Sequence, residues 1–152
     1  SNSIVAFANY NHSLKLNRKF VLRPGFFAGG TLHDELPPFQ YLFGVGGLND
    51  VNYIKSYVPF TGVHFIQKFG VYSVIGRLKL QYNVFKKLYL TARTDVGATE
   101  YFIEDMFDIK KYMMGYGITA SYNSIIGPVE FTAMASNMNP SVSFFINIGF
   151  SF

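Results

Sequence analysis

The sequence predicts an all-β chain, an antiparallel transmembrane β-barrel or about seven to eight strands of one. Three observations lead there. The first is the stretch from Tyr72 to Leu90. Tyr72, Val74, Gly76, Leu78, Leu80, Tyr82 and Val84 fall on one parity, and Ser73, Ile75, Arg77, Lys79, Gln81 and Asn83 on the other. A strand sends alternate side chains to opposite faces, so one face is apolar and one largely polar. A helix would spread Arg77 and Lys79 among the apolar residues. Ten residues at about 3.3 Å each, tilted about 45°, span roughly 24 Å, the height of a barrel's apolar band, with a tyrosine at each rim. The second observation is composition. Hydrophobic residues make up 49% of the 152 and charged residues only 14%, against about 25% charged in soluble domains. The third is the absence of any apolar run near the roughly 18 residues of a membrane helix. A closed barrel is the other solution lipid allows.

The remaining elements follow from the same parity. Ser3 to Leu16 forms a first strand, with Ile4, Ala6, Ala8, Tyr10, Leu14 and Leu16 opposite Asn9, Asn11, Ser13 and Lys15. Asn17-Arg18 turns the chain. Lys19 to Thr31 returns, with Phe20, Leu22, Phe26 and Ala28 on one side and Arg23, Gly25, Phe27 and Gly29 on the other. Pro24 within it points to an edge or a bulge. From Leu32 to about Gly70 the alternation stops. This long segment carries Phe39, Tyr41, Phe43, Tyr53, Tyr57 and Phe60. Disordered loops are poor in aromatics, so it is expected to fold inward and pack. Val58 to Ile66 could add a short strand. Beyond the Phe85-Lys86-Lys87 turn, strands are expected from Leu88, Lys111, Val129 and Ser141, joined by one long loop (100–110) and two short turns.

Little in the chain suggests chemistry. There is no cysteine, so no disulfide and no thiolate metal site. His12, His33 and His64 lack ligand spacing, Gly44 to Gly47 lacks the Lys-Ser/Thr of a phosphate loop, and Glu104, Asp105 and Asp108 with Lys110 and Lys111 make a solvated loop tip. No metal or cofactor is expected, and the diffuse charge of +4 gives no basic block for nucleic acid. Lys79 and Glu130 read as members of a self-neutralising polar lumen. Arg77, Arg93 and Asp95 are expected to form a lumen cluster that holds the long segment. The Ser1-Asn2 start suggests a processed chain or a fragment.

At these residues the chain resembles the outer-membrane insertase and translocator barrels of the bacterial surface antigen family. Phe43-Gly44-Val45-Gly46-Gly47, preceded by Leu36-Pro37, is similar to that family's inward loop motif, with Phe43, Gly46 and Gly47 the matching residues. Asp95-Val96-Gly97 is similar to the Asp-x-Gly on the inner face of its thirteenth strand. Phe150 and Phe152 resemble the aromatic insertion signal of Gram-negative barrels. The resemblance implies a C-terminal half of a sixteen-stranded barrel. The family's loop arginine has no counterpart in Asp50-Val51-Asn52-Tyr53-Ile54-Lys55. The chain also resembles the C-terminal barrel of patatin-like phospholipases of Bacteroidetes type. That likeness rests on Asn17-Arg18-Lys19-Phe20, on Asn52-Tyr53-Ile54 leading to Pro59-Phe60-x-Gly62, and on Ile126-Gly127-Pro128-Val129. It implies a barrel module that anchors or translocates an attached lipid hydrolase, with outer-membrane lipids, the barrel-assembly machinery and the rest of the parent protein as partners. The chain has no Gly-x-Ser-x-Gly elbow, so hydrolysis would belong to another domain. A self-contained eight-stranded barrel with a structural or ligand-binding role is the alternative, and a soluble sandwich or lipocalin-like carrier a weaker one.

Overall fold

Alternation in the sequence becomes register in the fold. The computed structural model describes residues 4–32, 42–46, 57–63 and 68–149. Its main sheet contains β1 (Ile4–Asn11), β2 (Leu14–Lys15), β3 (Phe20–Leu32), β7 (Tyr72–Phe85), β8 (Leu88–Glu100), β9 (Met113–Ser124), β10 (Gly127–Ser136) and β11 (Ser143–Ile148). The order is β1-β3-β7-β8-β9-β10-β11, with β2 beside β3, and every pairing is antiparallel. Apart from the 32–68 segment, each long strand pairs with its sequence neighbour, which is the up-and-down order of a barrel wall.

Register keeps like with like. Leu22, Leu80 and Ala92 share a row, as do Ala120, Phe131 and Ile146. The even face is exposed along its length: Leu78, Leu80, Val96, Tyr116, Ile118, Phe144 and Ile146 all face outward. A water-soluble sheet would bury such a surface, whereas a barrel wall turns it to lipid. Phe20 and Tyr82 stack with ring centres 4.6 Å apart, one turn from the short-turn rim. No helix among the described residues is long and apolar enough to cross a membrane.

Pro24 has a physical place in this wall. Its carbonyl accepts from His12 N at 3.0 Å, so its backbone polar side faces β1 and β2. The missing N–H therefore falls where β1 ends and β2 has not begun, and the ladder to β7 continues unbroken past Pro24 opposite Leu78.

A second, three-stranded sheet, β5-β4-β6, comes from the long segment: β4 (Phe43–Val45), β5 (Tyr57–Val58) and β6 (Lys68–Gly70). It lies against the inner face of the wall. Phe43, Val45, Phe60 and Val63 from the segment bury themselves against Phe27, Ile75 and Met113. Phe27 and Phe43 meet edge to face at 5.8 Å. The core of this chain is thus the space between wall and segment.

Several boundaries differ from the sequence reading. The single first strand expected over Ser3 to Leu16 is two, Ile4–Asn11 and Leu14–Lys15, interrupted at His12 and Ser13. β9 starts at Met113 instead of Lys111, because 103–107 and 109–111 form two short 3-10 turns. β10 starts at Gly127, earlier than Val129, and β11 at Ser143, later than Ser141. The expected strand over 58–66 does not join the wall: Tyr57–Val58 pairs with Gly44–Val45 inside it. An eight-stranded closure is therefore not formed among the described residues. β1 and β11 do not pair with each other, and the wall is a partial barrel.

Candidate functional site

Residues 59–63 are pinned to the wall by main-chain contacts, and these contacts define the site. Asp95, on the inner face of β8, is almost fully buried. Its Oδ2 accepts from the backbone N–H of Thr61 at 2.8 Å. Arg77, opposite Asp95 in the ladder, donates from Nη2 to the carbonyl of Pro59 at 2.9 Å. On the far side, Ser136 Oγ and Asn139 Nδ2 both donate to the carbonyl of Gly62, at 2.8 and 3.1 Å. The Gly62 N–H reaches the Met134 sulfur at 3.4 Å.

At the 59–63 turn, wall and segment approach closely where two positions lack a side chain. Gly62 has φ +77°, a left-handed conformation, and a Cβ there would lie 2.2 Å from the Ala135 carbonyl oxygen. Both facts select glycine. At Gly115 a Cβ would lie 1.8 Å from the Thr61 carbonyl oxygen. A strand that presents Gly115 and Gly117 inward leaves a groove, and the 59–63 turn occupies it. Phe60 fills the apolar end of that groove with no exposure at all.

The residues singled out from sequence fall in three groups. Arg77 and Asp95 meet the segment directly, while Gly97, buried one position on along the same face, lies tight against Ile75 and Val74 of β7. Arg93 lines the polar part of the lumen and makes no hydrogen bond to the segment's described residues. In the loop motif, Phe43 is fully buried and Gly46 follows β4 with φ +138°. Gly47, Phe150, Phe152, His33, His64 and the 50–55 stretch lie outside the described residues. Among the described residues, the part of the segment that touches Asp95 is the Pro59–Val63 turn. It does so through an amide and not through a guanidinium.

Sequence reasoning missed Thr61, Met134, Ser136 and Asn139 as contacts. Thr61 acts through its backbone, which no side-chain pattern reveals. Ser136 ends the inner face of β10, and Asn139 sits in a turn. The signal that was available is Pro59-Phe60-x-Gly62, a proline-then-glycine turn carrying an aromatic. Among the described residues no group of acids and histidines could hold a metal ion.

A wall of antiparallel, outward-apolar strands with a chain segment locked against its inner face defines an outer-membrane type of barrel with an internal loop. The family comparison agrees with that class. A family model of the OMP85 superfamily matches residues 2–152, and the chain belongs to that superfamily. Members of it are β-barrel proteins of the outer membrane. A search of curated proteins found no match.

Proposed function

We propose that this chain is the barrel module of a patatin-like lipid hydrolase. In this reading it lies in the outer membrane of a Gram-negative bacterium and anchors the hydrolase or carries it across. The observation that carries the barrel role is the open wall with a filled interior. β1 and β11 lack strand partners on their outer sides among the described residues. Lipid cannot satisfy open strand edges, so further strands of the same protein complete the barrel. The 59–63 turn, fixed by Asp95, Arg77 and Ser136, then stands across the lumen as a resting plug. The patatin-like parent rests on the short likenesses at 17–20, 52–62 and 126–129.

The partners in this reading are outer-membrane lipids, the barrel-assembly machinery that inserts the strands, and the remainder of the parent's own barrel and N-terminal domain. The test is made on the full-length protein in outer-membrane vesicles. Phospholipid hydrolysis is assayed with a fluorogenic phospholipid, and protease shaving of whole cells reports the position of the attached domain. The reading expects hydrolysis by the full-length protein. It also expects Asp95→Ala to change shaving of the attached domain while leaving kcat in detergent unchanged. A full-length protein without lipid hydrolysis removes the patatin-like parent and leaves the barrel role standing.

A further inference from the structure

The outward face of the wall is recessed near the long-loop rim. Ala6 lies opposite Gly30 and Ala8 opposite Ala28, in the same parity as the exposed Tyr10 and Phe26. These two small rows lie between two large ones. Ile4 pairs with Leu32 on the rim side and Tyr10 with Phe26 on the other, and all four are exposed. A different element builds the third side. The Ile103–Phe107 turn follows β8, yet its Ile103, Met106 and Phe107 line the same cavity as Ala28 and Gly30. Val74 of the intervening β7 lines it too, so the turn leans back over the outward face. The cavity holds about 650 Å³, within the range of about 300–1,000 Å³ usual for ligand pockets. Among the described residues no charged side chain lines it. The loop's charges are gathered apart from it: Asp105 pairs with Lys111, and the Lys110 N–H donates to Asp108 Oδ1. Phe107 is nonetheless 81% exposed, and Ile103 more than half exposed.

A recess of this kind gives a polar ligand almost nothing to bond, and apolar cavities do not hold water. It is continuous with the outward surface of Val74, Leu78 and Leu80, which a barrel wall turns to lipid. It begins at the Ala6–Gly30–Tyr72 row. A tyrosine there marks the level where hydrocarbon meets headgroups. A chain entering at that level runs down the recess, while its headgroup stays beside the charged side of the loop. We propose that the recess binds one acyl chain of a bilayer lipid, in the leaflet on the long-loop side, and that the Ile103–Phe107 turn clamps it. The proposal rests on the membrane placement of the wall and not on the patatin-like parent.

The experiment uses the full-length protein in vesicles of phosphatidylcholine brominated along its acyl chains, a contact quencher of tryptophan. Residues 1–152 contain no tryptophan. Phe107→Trp, and Leu78→Trp as a control on the open wall, are each read as the difference in emission from wild type. Both are expected to be quenched. Ala28→Phe fills the floor of the recess and should at least halve the quenching of Phe107→Trp, while that of Leu78→Trp stays unchanged. Ala8→Phe should do the same from β1. Thermal unfolding in detergent checks that both filled variants fold. Native mass spectrometry after detergent exchange should show one retained phospholipid in wild type that Ala28→Phe loses. No quenching at Leu78→Trp removes the membrane placement, and the proposal with it. Quenching at Leu78→Trp but not at Phe107→Trp leaves the wall in lipid and overturns the site, by setting the turn against solvent or another segment of the parent protein. Quenching of Phe107→Trp that is equal with and without Ala28→Phe overturns it as well, by reducing the contact to bulk lipid.

Discussion

At Asp95 a single carboxylate holds a loop through one backbone N–H. The bond is short, buried and charge-assisted, a kind that contributes about 1.5–3 kcal/mol. Asp95→Ala leaves the Thr61 amide without its acceptor and should lower stability by about that amount in thermal unfolding of the full-length protein. The chain has no cysteine, so a probe is easily placed. Thr61→Cys keeps the backbone donor and puts a thiol at a position only 2% exposed. Labelling by a water-soluble maleimide should be slow in that variant and at least several-fold faster when Asp95→Ala is added. Equal rates would mean that Asp95 does not hold the turn. Gly62→Ala should act in the same direction, since a left-handed residue with a Cβ costs about 1–2 kcal/mol before any clash with Ala135 is counted.

Among elements, the two faces of each strand answer to different solvents, and substitutions should separate them. Val96 faces outward on β8 and Thr91 faces the lumen on the same strand. Val96→Arg should cost about 2–4 kcal/mol in a lipid bilayer, whereas Thr91→Arg should be tolerated. Folding titrations into lipid vesicles would reveal any failure of that asymmetry. The segment inside the wall depends on apolar burial as well as on hydrogen bonds. Phe60→Ala and Phe43→Ala each empty a fully buried site and should cost about 3–5 kcal/mol. This division also explains what the sequence could disclose. Period two at 72–84 and 113–123 is a property of neighbouring residues, so strands and facing were legible in it. The inner sheet was not, because Gly44–Val45 pairs with Tyr57–Val58 across a chain separation that no local pattern encodes. The acidic and basic residues of the expected 100–110 loop suggested its polarity but not the two 3-10 turns at Ile103–Phe107 and Ile109–Lys111. Asp95 and Arg77 stood out as charges on an inner face. Their partners are main-chain atoms of Pro59 and Thr61, which have no side-chain signature.

For the whole molecule, the seven long strands of the wall among the described residues are too few and too open to seal themselves. β1 and β11 present backbone edges that a bilayer would leave unsatisfied. An odd set also departs from the even strand numbers of bacterial barrels. OMP85 superfamily membership, matched over residues 2–152, fits a wall that is one part of a larger barrel. The structure of the full-length protein in lipid nanodiscs tests this most directly, by tracing what pairs with the outer edges of β1 and β11. The account predicts that each edge pairs with a strand from elsewhere in the same polypeptide, around a lumen that keeps the 59–63 turn against Asp95. Direct pairing of β1 with β11 in a small barrel closed by this chain alone would contradict it.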